Sequence, residues 1–187
     1  MTKAELRKKY KSLRKVLSIE DIENQSLNVA NQLLELPIWD KIYYHLFLSI
    51  TEHKEVQTEF ILHILHAKDK EVIISKSNFE TQELTNYLLT DNTVIKKNTW
   101  GIPEPVDGIE VNNSKIDVVF VPLLAFNKEG HRVGYGKGFY DKFLSECKPE
   151  TLKIGLSFFE IEDAIEGVIE SDVKLDYCVT PKTIYTF

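Results

Sequence analysis

Apolar positions along the chain fall into two kinds of pattern. Leu6, Tyr10, Leu13 and Leu17 recur at 4-3-4 spacing, the stripe of an amphipathic helix. In front of them, Thr2-Lys3-Ala4-Glu5 has the form of a capping box. Ser18 to Asp21 offers a second N-terminal cap, and Ile22 to Leu36 reads as a helix that stops at Pro37. The other pattern is the continuous apolar run of a buried strand, seen in residues 42–50 (IYYHLFLSI) and in Val118 to Leu124. Glu71–Ser75 and Lys153–Phe159 read as shorter strands. Thr58 is placed to cap a helix running through Lys68, and Phe139, Tyr140, Phe143 and Leu144 recur at helical spacing. Residues 76–99 are the least patterned, with ELTNYLLT and TVIKK as edge strands, and Ile161–Val168 reads as an acidic turn or short helix. Strands alternating with helices predict an α/β fold: three layers, with a mostly parallel open sheet and helices on both faces.

In such sheets ligands sit beyond the carboxyl ends of the strands. The polar loop after Leu124 falls at such a place and holds Gly130, Arg132, Gly134, Gly136, Lys137 and Gly138. Four glycines within nine residues let the backbone take positive φ and turn several N–H groups toward one point. A helix starting at Phe139 aims its positive end at the same point, and Arg132 and Lys137 add full charges. These are the parts of a phosphate-binding loop. It is not a Walker loop, because Gly136-Lys137 is followed by Gly138 rather than Ser or Thr. Nor is it a dinucleotide fingerprint, because its glycines lie about ten residues past the strand at Gly-x-Gly-x-Gly spacing. Asp141, early in the helix, is a candidate for the metal contact that the absent hydroxyl leaves open.

Composition narrows the class. At 187 residues, 43% hydrophobic and 28% charged, the chain is expected to be one soluble domain spanning 1–187. A net charge of −6 argues against a general nucleic-acid binder. Yet residues 1–15 carry seven Lys or Arg against one Glu, a net of +6 that leaves −12 for the remainder. Lys3, Arg7, Lys11 and Arg14 form a basic stripe beside the apolar one, which by spacing alone is a solvated face. There is no secretory h-region and no apolar run long enough for a bilayer. Cys147 and Cys178 match no pairing motif, so a reducing cytoplasm is expected, with no membrane partner. His63 and His66 stand i, i+3 on a helix with no third metal ligand nearby in sequence. Neither a Ser-His-Asp nor a Cys-His arrangement is visible.

The run Pro122…Leu124-Ala125-Phe126…Gly130-x-Arg132-x-Gly134-Tyr135-Gly136-Lys137-Gly138-Phe139-Tyr140-Asp141 resembles the signature of the 5-formyltetrahydrofolate cyclo-ligase family, also called methenyltetrahydrofolate synthetases. The resemblance runs discontinuously from Lys3 to Pro181 and is most specific over 122–141. It implies ATP-dependent closure of 5-formyltetrahydrofolate to 5,10-methenyltetrahydrofolate through a phosphorylated formyl group. It assigns ATP to Lys3 and Arg7, the family's Lys-x-x-x-Arg pair, and to Arg132, Gly134, Tyr135, Gly136, Lys137, Gly138, Phe139 and Tyr140. Folate is assigned to Ile50, Glu55 (in Glu55-Val56-Gln57-Thr58), Trp100 (in a Trp-Gly-x-Pro-x-Pro segment), Tyr135 and Lys137. Mg²⁺ is assigned to Asp141 and Asp172. Without the resemblance, Glu55 is a surface glutamate, Trp100 an ordinary core residue and Asp172 a turn cap.

Three positions depart from the family pattern. Tyr135 stands where many members place Arg, with Lys137 as the compensating cation. Phe139 replaces the commoner Tyr, and Asn127 replaces the usual Asp after Ala-Phe. A monomer binding 5-formyltetrahydrofolate and ATP is the expectation. Two readings from other classes stay open on sequence. One is a sugar-phosphate isomerase-like enzyme on a related sheet, which needs neither Trp100 nor Glu55 and consumes no ATP. The other is a non-catalytic nucleotide-binding module that has kept the loop.

Overall fold

Val118–Pro122 illustrates how sequence sets the layers. Val118 and Phe120 point into one apolar cluster and Val119 and Val121 into a second on the opposite face, so the strand is buried on both sides. The computed structural model, which describes residues 1–187, carries that logic across the chain. Helices α1 (Lys3–Lys15), α2 (Ile19–Leu33), α3 (Glu59–Ala67) and α4 (Phe139–Glu146) accompany eleven strands. The strands are β1 (Tyr43–His45), β2 (Glu71–Asn78), β3 (Glu83–Leu88), β4 (Ile95–Lys97), β5 (Pro103–Pro105) and β6 (Val118–Pro122), then β7 (Ala125–Phe126), β8 (Arg132–Val133), β9 (Leu152–Leu156), β10 (Tyr177–Val179) and β11 (Ile184–Thr186). Seven of them form one sheet in the order β11-β10-β9-β6-β1-β2-β3. Its five inner strands are parallel, and β3 and β11 close the two edges antiparallel.

The larger cluster packs α2 and α3 on one face, through Val29, Leu33, Ile61 and Leu65 against Tyr44, Val72, Phe120 and Ile154. The other face takes α4 through Phe143 and Leu144 against Ile73, Val119, Val121 and Cys178. This is the three-layer α/β arrangement predicted. At the amino-terminal end of the sheet, Asp117 accepts from the Ile42 and Tyr43 N–H groups at 3.1 and 2.9 Å, fixing β1 beside β6.

Helix α1 belongs to neither layer. Its Leu6 and Tyr10 pack on Leu124, Ala125, Val133 and Ile165, a third cluster built on the β7–β8 hairpin. The predicted capping box forms: Thr2 Oγ1 accepts from Glu5 N–H, and the Glu5 carboxylate accepts from Thr2 N–H. Its buried stripe, however, runs Leu6, Tyr10, Arg14, while Leu13 stays exposed. The hairpin is only two residues wide on each strand, so it covers two turns of apolar surface. Beyond it the wall offers polar partners, and Arg14 takes them. The basic stripe is therefore not simply a solvated face.

Other elements differ from the pattern in instructive ways. The apolar run 42–50 pairs as a strand only over Tyr43–His45, then bends through Thr51–His53 to Lys54, whose φ is 48°. Thr58 does not cap α3 with its side chain, because its hydroxyl donates to Phe47 O at 2.7 Å and holds that bend. Ile95–Lys97 pairs with Pro103–Pro105 in a separate ribbon rather than at the edge of the main sheet. The strand expected over Lys153–Phe159 runs Leu152–Leu156, and Ile161–Val168 is turn and bend rather than helix. Cys147 and Cys178 are both free thiols. No helix is long and apolar enough to cross a membrane.

Candidate active site

The carboxyl ends of β1, β2 and β6 open into a cleft of about 450 Å³. α1 forms one wall, the 132–141 segment another, and the β4–β5 ribbon the far rim. All fifteen residues that the family resemblance assigns to ATP, folate or Mg²⁺ line this one cleft, including Lys3 and Asp172, which are 169 positions apart.

Its phosphate-like end is built on the glycine loop. Gly136 and Gly138 have φ of 89° and 77°, a backbone that favours glycine. A Cβ on Gly136 would lie 3.0–3.2 Å from the Arg7 guanidinium, so α1 and the loop approach as closely as a missing side chain permits. The Arg7 Nε–H donates to Gly134 O at 2.9 Å. Gly138 leads into α4 without a side-chain cap, which leaves the helix's first N–H groups to a ligand or solvent. Lys137 is exposed and makes no hydrogen bond or ion pair with the protein.

Arg132 is buried and turned away from the loop's open side. Its guanidinium donates to Asp141 Oδ1 at 2.9 Å and to Val173 O. Asp141 Oδ1 also accepts from Val173 N–H at 3.1 Å. Beside them, next to Val173 in sequence, Asp172 Oδ2 accepts from Lys3 and, at 2.9 Å, from Ile169 N–H. Burial would raise the Asp172 carboxyl, but Lys3 and that N–H outweigh it and hold the group below the usual carboxylate range. In both aspartates one oxygen carries the protein contacts, and Asp141 Oδ2 and Asp172 Oδ1 have none. Two half-free carboxylates suit a hard divalent cation that completes its shell with phosphate and water. No cluster of three His, Cys, Asp or Glu exists to hold a metal by protein alone.

The other end is apolar and aromatic, with one buried carboxyl group. Glu55 is only 4% exposed. Its Oε1 accepts from the Tyr135 hydroxyl at 2.6 Å and its Oε2 from Ile50 N–H at 2.7 Å. Burial pushes the Glu55 carboxyl up, opposed by those two hydrogen bonds and by the charges of Arg14 and His53. Burial also pushes the Tyr135 and Tyr140 phenols up, and the Glu55 charge adds to both. Trp100 is not core: it is 69% exposed at the tip of the β4–β5 ribbon. Its ring rests on Phe79 at 5.5 Å, and Phe79 meets Phe139 edge-on at 5.1 Å.

Several residues on this floor escaped sequence reasoning. His45 bonds Ser75 Oγ at 2.6 Å, and Ser75 gives its only hydrogen to Asn86 Oδ1, so the His45 Nε2 carries the ring proton. Burial lowers its pKa to about 3, which keeps the ring neutral. His45 sits inside an apolar strand run and Phe79 in the least patterned stretch, so neither carried a local signal. Arg14, just outside the cleft, did carry one, its place in the basic stripe.

The arrangement offers cations, glycine backbone and a helix N-terminus at one end, and flat rings around an acceptor at the other. A family model described as the 5-formyltetrahydrofolate cyclo-ligase family matches residues 1–181. The mouse 5-formyltetrahydrofolate cyclo-ligase is 29% identical over 185 residues, covering 91% of this chain and 89% of that protein. The NMR structure of Aquifex aeolicus 5,10-methenyltetrahydrofolate synthetase superposes with a TM-score of 0.84 at 32% identity, covering 100% of this chain and 93% of that one. A Mycoplasma pneumoniae 5,10-methenyltetrahydrofolate synthetase shares the fold with a TM-score of 0.77 at 23% identity, over 97% and 99% of the two chains. With the match running from α1 through the glycine loop to the segment beyond Asp172, the chain belongs to the 5-formyltetrahydrofolate cyclo-ligase family.

Proposed function

We propose that the protein, acting as one domain, closes 5-formyltetrahydrofolate to 5,10-methenyltetrahydrofolate at the expense of ATP, which leaves as ADP and phosphate. A formamide oxygen is a poor leaving group at neutral pH. When that oxygen attacks the γ-phosphorus and ADP departs, it becomes part of a phosphate ester on an imidate carbon. The 10-nitrogen then attacks this carbon, loses its proton, and phosphate leaves with the oxygen. The steps need close alignment of three atoms and neutralisation of phosphate charge more than they need a strong acid or base.

The residues divide accordingly. Lys3, Arg7 and Lys137, with the backbone of Gly134, Tyr135, Gly136 and Gly138, bind the ATP phosphates. Phe139 and Tyr140 place the first turn of α4 against them. Arg132 serves this end by fixing Asp141 rather than by reaching outward. Asp141 and Asp172 would hold Mg²⁺, which supplies charge neutralisation to the phosphate oxygens. Glu55 accepts paired N–H donors from the pterin, Ile50 and Trp100 bracket its flat ring, and Tyr135 and Lys137 stand where the two substrates meet.

The observation that carries this reading is the Tyr135–Glu55 hydrogen bond, which ties the glycine loop directly to the buried carboxylate of the aromatic end. The test is ADP release with and without 5-formyltetrahydrofolate. One ADP per methenyl product formed, and none without folate, is the expected result. ADP release without folate, or nucleotide binding with no turnover, would overturn it.

A further inference from the structure

Arg14 is the only buried charged side chain of α1, and it does not line the cleft. It has no carboxylate in contact, so the usual compensation for burying a guanidinium is absent. Its NH1 donates to the Tyr135 hydroxyl oxygen at 2.7 Å, its NH2 donates to Leu123 O at 2.6 Å, and its Nε has no partner. A guanidinium has donors only, so the Tyr135 oxygen must accept here. Its single hydrogen is then committed to Glu55 Oε1, 2.6 Å away. The other carboxylate oxygen is held by Ile50 N–H. The Tyr135 hydroxyl proton is thereby directed at Glu55.

We propose that Arg14 is a positioning residue for folate: from outside the cleft it sets the direction of the Tyr135 hydroxyl and thereby keeps Glu55 an ionised acceptor facing the substrate. This deepens, and rests on, the reading of Glu55 as the pterin contact. A carboxylate taking two N–H donors must stay charged, and a buried one tends not to. Burial does push Glu55 upward, and the opposing influences are the Tyr135 and Ile50 hydrogen bonds and the charges of Arg14 and His53. The groups facing it are few. Arg14 comes from α1, His53 from the turn after β1 with its ring 5.1 Å from Tyr135, and Tyr140 from α4 with Arg132 acting on it from beyond. Lys11 stands 5.8 Å over the Tyr135 ring. Of the cations that counter burial at Glu55, Arg14 is the one hydrogen-bonded to the Tyr135 hydroxyl that bridges to it.

The test is calorimetric titration of 5-formyltetrahydrofolate into the full chain from pH 5 to 9. In the wild type, affinity falls on acidification as Glu55 takes a proton. In Arg14→Met that fall should begin about one pH unit higher, with affinity at the alkaline end within about threefold of wild type. Arg14→Lys keeps the charge and should leave the midpoint near the wild-type value. Tyr135→Phe removes the bridge without touching the buried charge, and it too should move the midpoint up. It serves as the second probe should Arg14→Met fold poorly. Glu55→Gln should bind weakly with none of this pH dependence. If Arg14→Met or Tyr135→Phe weakens folate equally at every pH with the midpoint unmoved, Arg14 is structural only and the proposal falls. A midpoint in Arg14→Lys displaced as far as in Arg14→Met overturns it as well. Unchanged folate binding in Glu55→Gln removes the underlying pterin assignment instead, a result distinct from both.

Discussion

The two ends of the cleft are built on opposite principles. The phosphate-like end is exposed backbone with one unpaired cation: Gly136, Lys137 and Gly138 face solvent, and their arrangement depends on two positive-φ glycines and the close approach of Arg7. The aromatic end is backed by a buried polar network in which Tyr135 links Arg14 to the single buried carboxyl group of Glu55. An exposed cation stabilises the fold little, so losing it costs ligand and not structure. A buried network couples binding to packing, so removing one member leaves its neighbours unpaired. The same cleft thus responds to mutation in two different ways, and variants at each end separate them.

The largest effect is expected where the exposed end is least forgiving. Gly136→Val places a β-branched residue at φ 89° and a Cβ at about 3 Å from the Arg7 guanidinium. ATP affinity should fall on the order of 100-fold, at about 1.4 kcal/mol per decade, with folate affinity and melting temperature changing far less. Next comes Lys137→Ala, which removes a charge-assisted phosphate contact worth roughly 1.5–3 kcal/mol. Turnover at limiting ATP should drop about ten- to a hundredfold while the melting temperature stays put. Normal turnover would remove Lys137 from the site.

A subtler prediction concerns α1. Lys9 pairs with Glu162 and so docks the helix, whereas Lys8 and Lys15 make no side-chain contact. Lys8→Ala/Lys15→Ala is therefore the clean control for charge alone. It should leave ATP binding nearly intact at moderate salt, where a long-range field is screened. The smallest effect is on stability against pH. The Lys9 hydrogen bond, with that of Tyr10 at 2.5 Å, holds the Glu162 carboxyl below its ordinary 4.5. A depressed carboxyl stabilises the fold above its unfolded value and loses that contribution as pH falls through the lower folded value. Glu162→Gln should melt lower than wild type at pH 7, and the gap should narrow as pH falls below the ordinary 4.5 and through the lower folded value, which thermal melts from pH 7 into the acid range would show.

The two ends also differed in how far the sequence revealed them. The candidate phosphate loop is written locally, because its glycines, two cations and the following helix start lie within one short stretch, although glycines so spaced also serve plain turns. The α/β layers followed from the apolar runs at 118–124 and 153–159 for the same reason. The aromatic end assembles from positions 45, 50, 55, 79, 100 and 135, whose proximity exists only in the fold. Glu55 and Trp100 became visible through family resemblance, and by spacing alone would have passed as surface and core, the reverse of their observed burial. Arg14 lay in a stripe that spacing reads as solvated. Its inward partners, the Tyr135 hydroxyl and Leu123 O, lie 121 and 109 residues away, a tertiary fact. The bend that cuts 42–50 short depends on Thr58 bonding Phe47 O, eleven residues back, which no window of hydrophobicity registers.

The central claim is that one cleft holds ATP at its glycine end and folate at its aromatic end. The most direct measurement is a crossed calorimetric titration of ATP and 5-formyltetrahydrofolate, each into Lys3→Ala/Arg7→Ala and into Trp100→Ala. Trp100 is exposed, and Lys3 and Arg7 sit on a helix anchored separately by its apolar stripe, so both variants should remain folded. The first variant should lose ATP affinity about tenfold or more and keep folate, and the second should do the reverse, at about 1–2 kcal/mol in each case. Equal loss of both ligands in both variants would contradict the two-ended cleft.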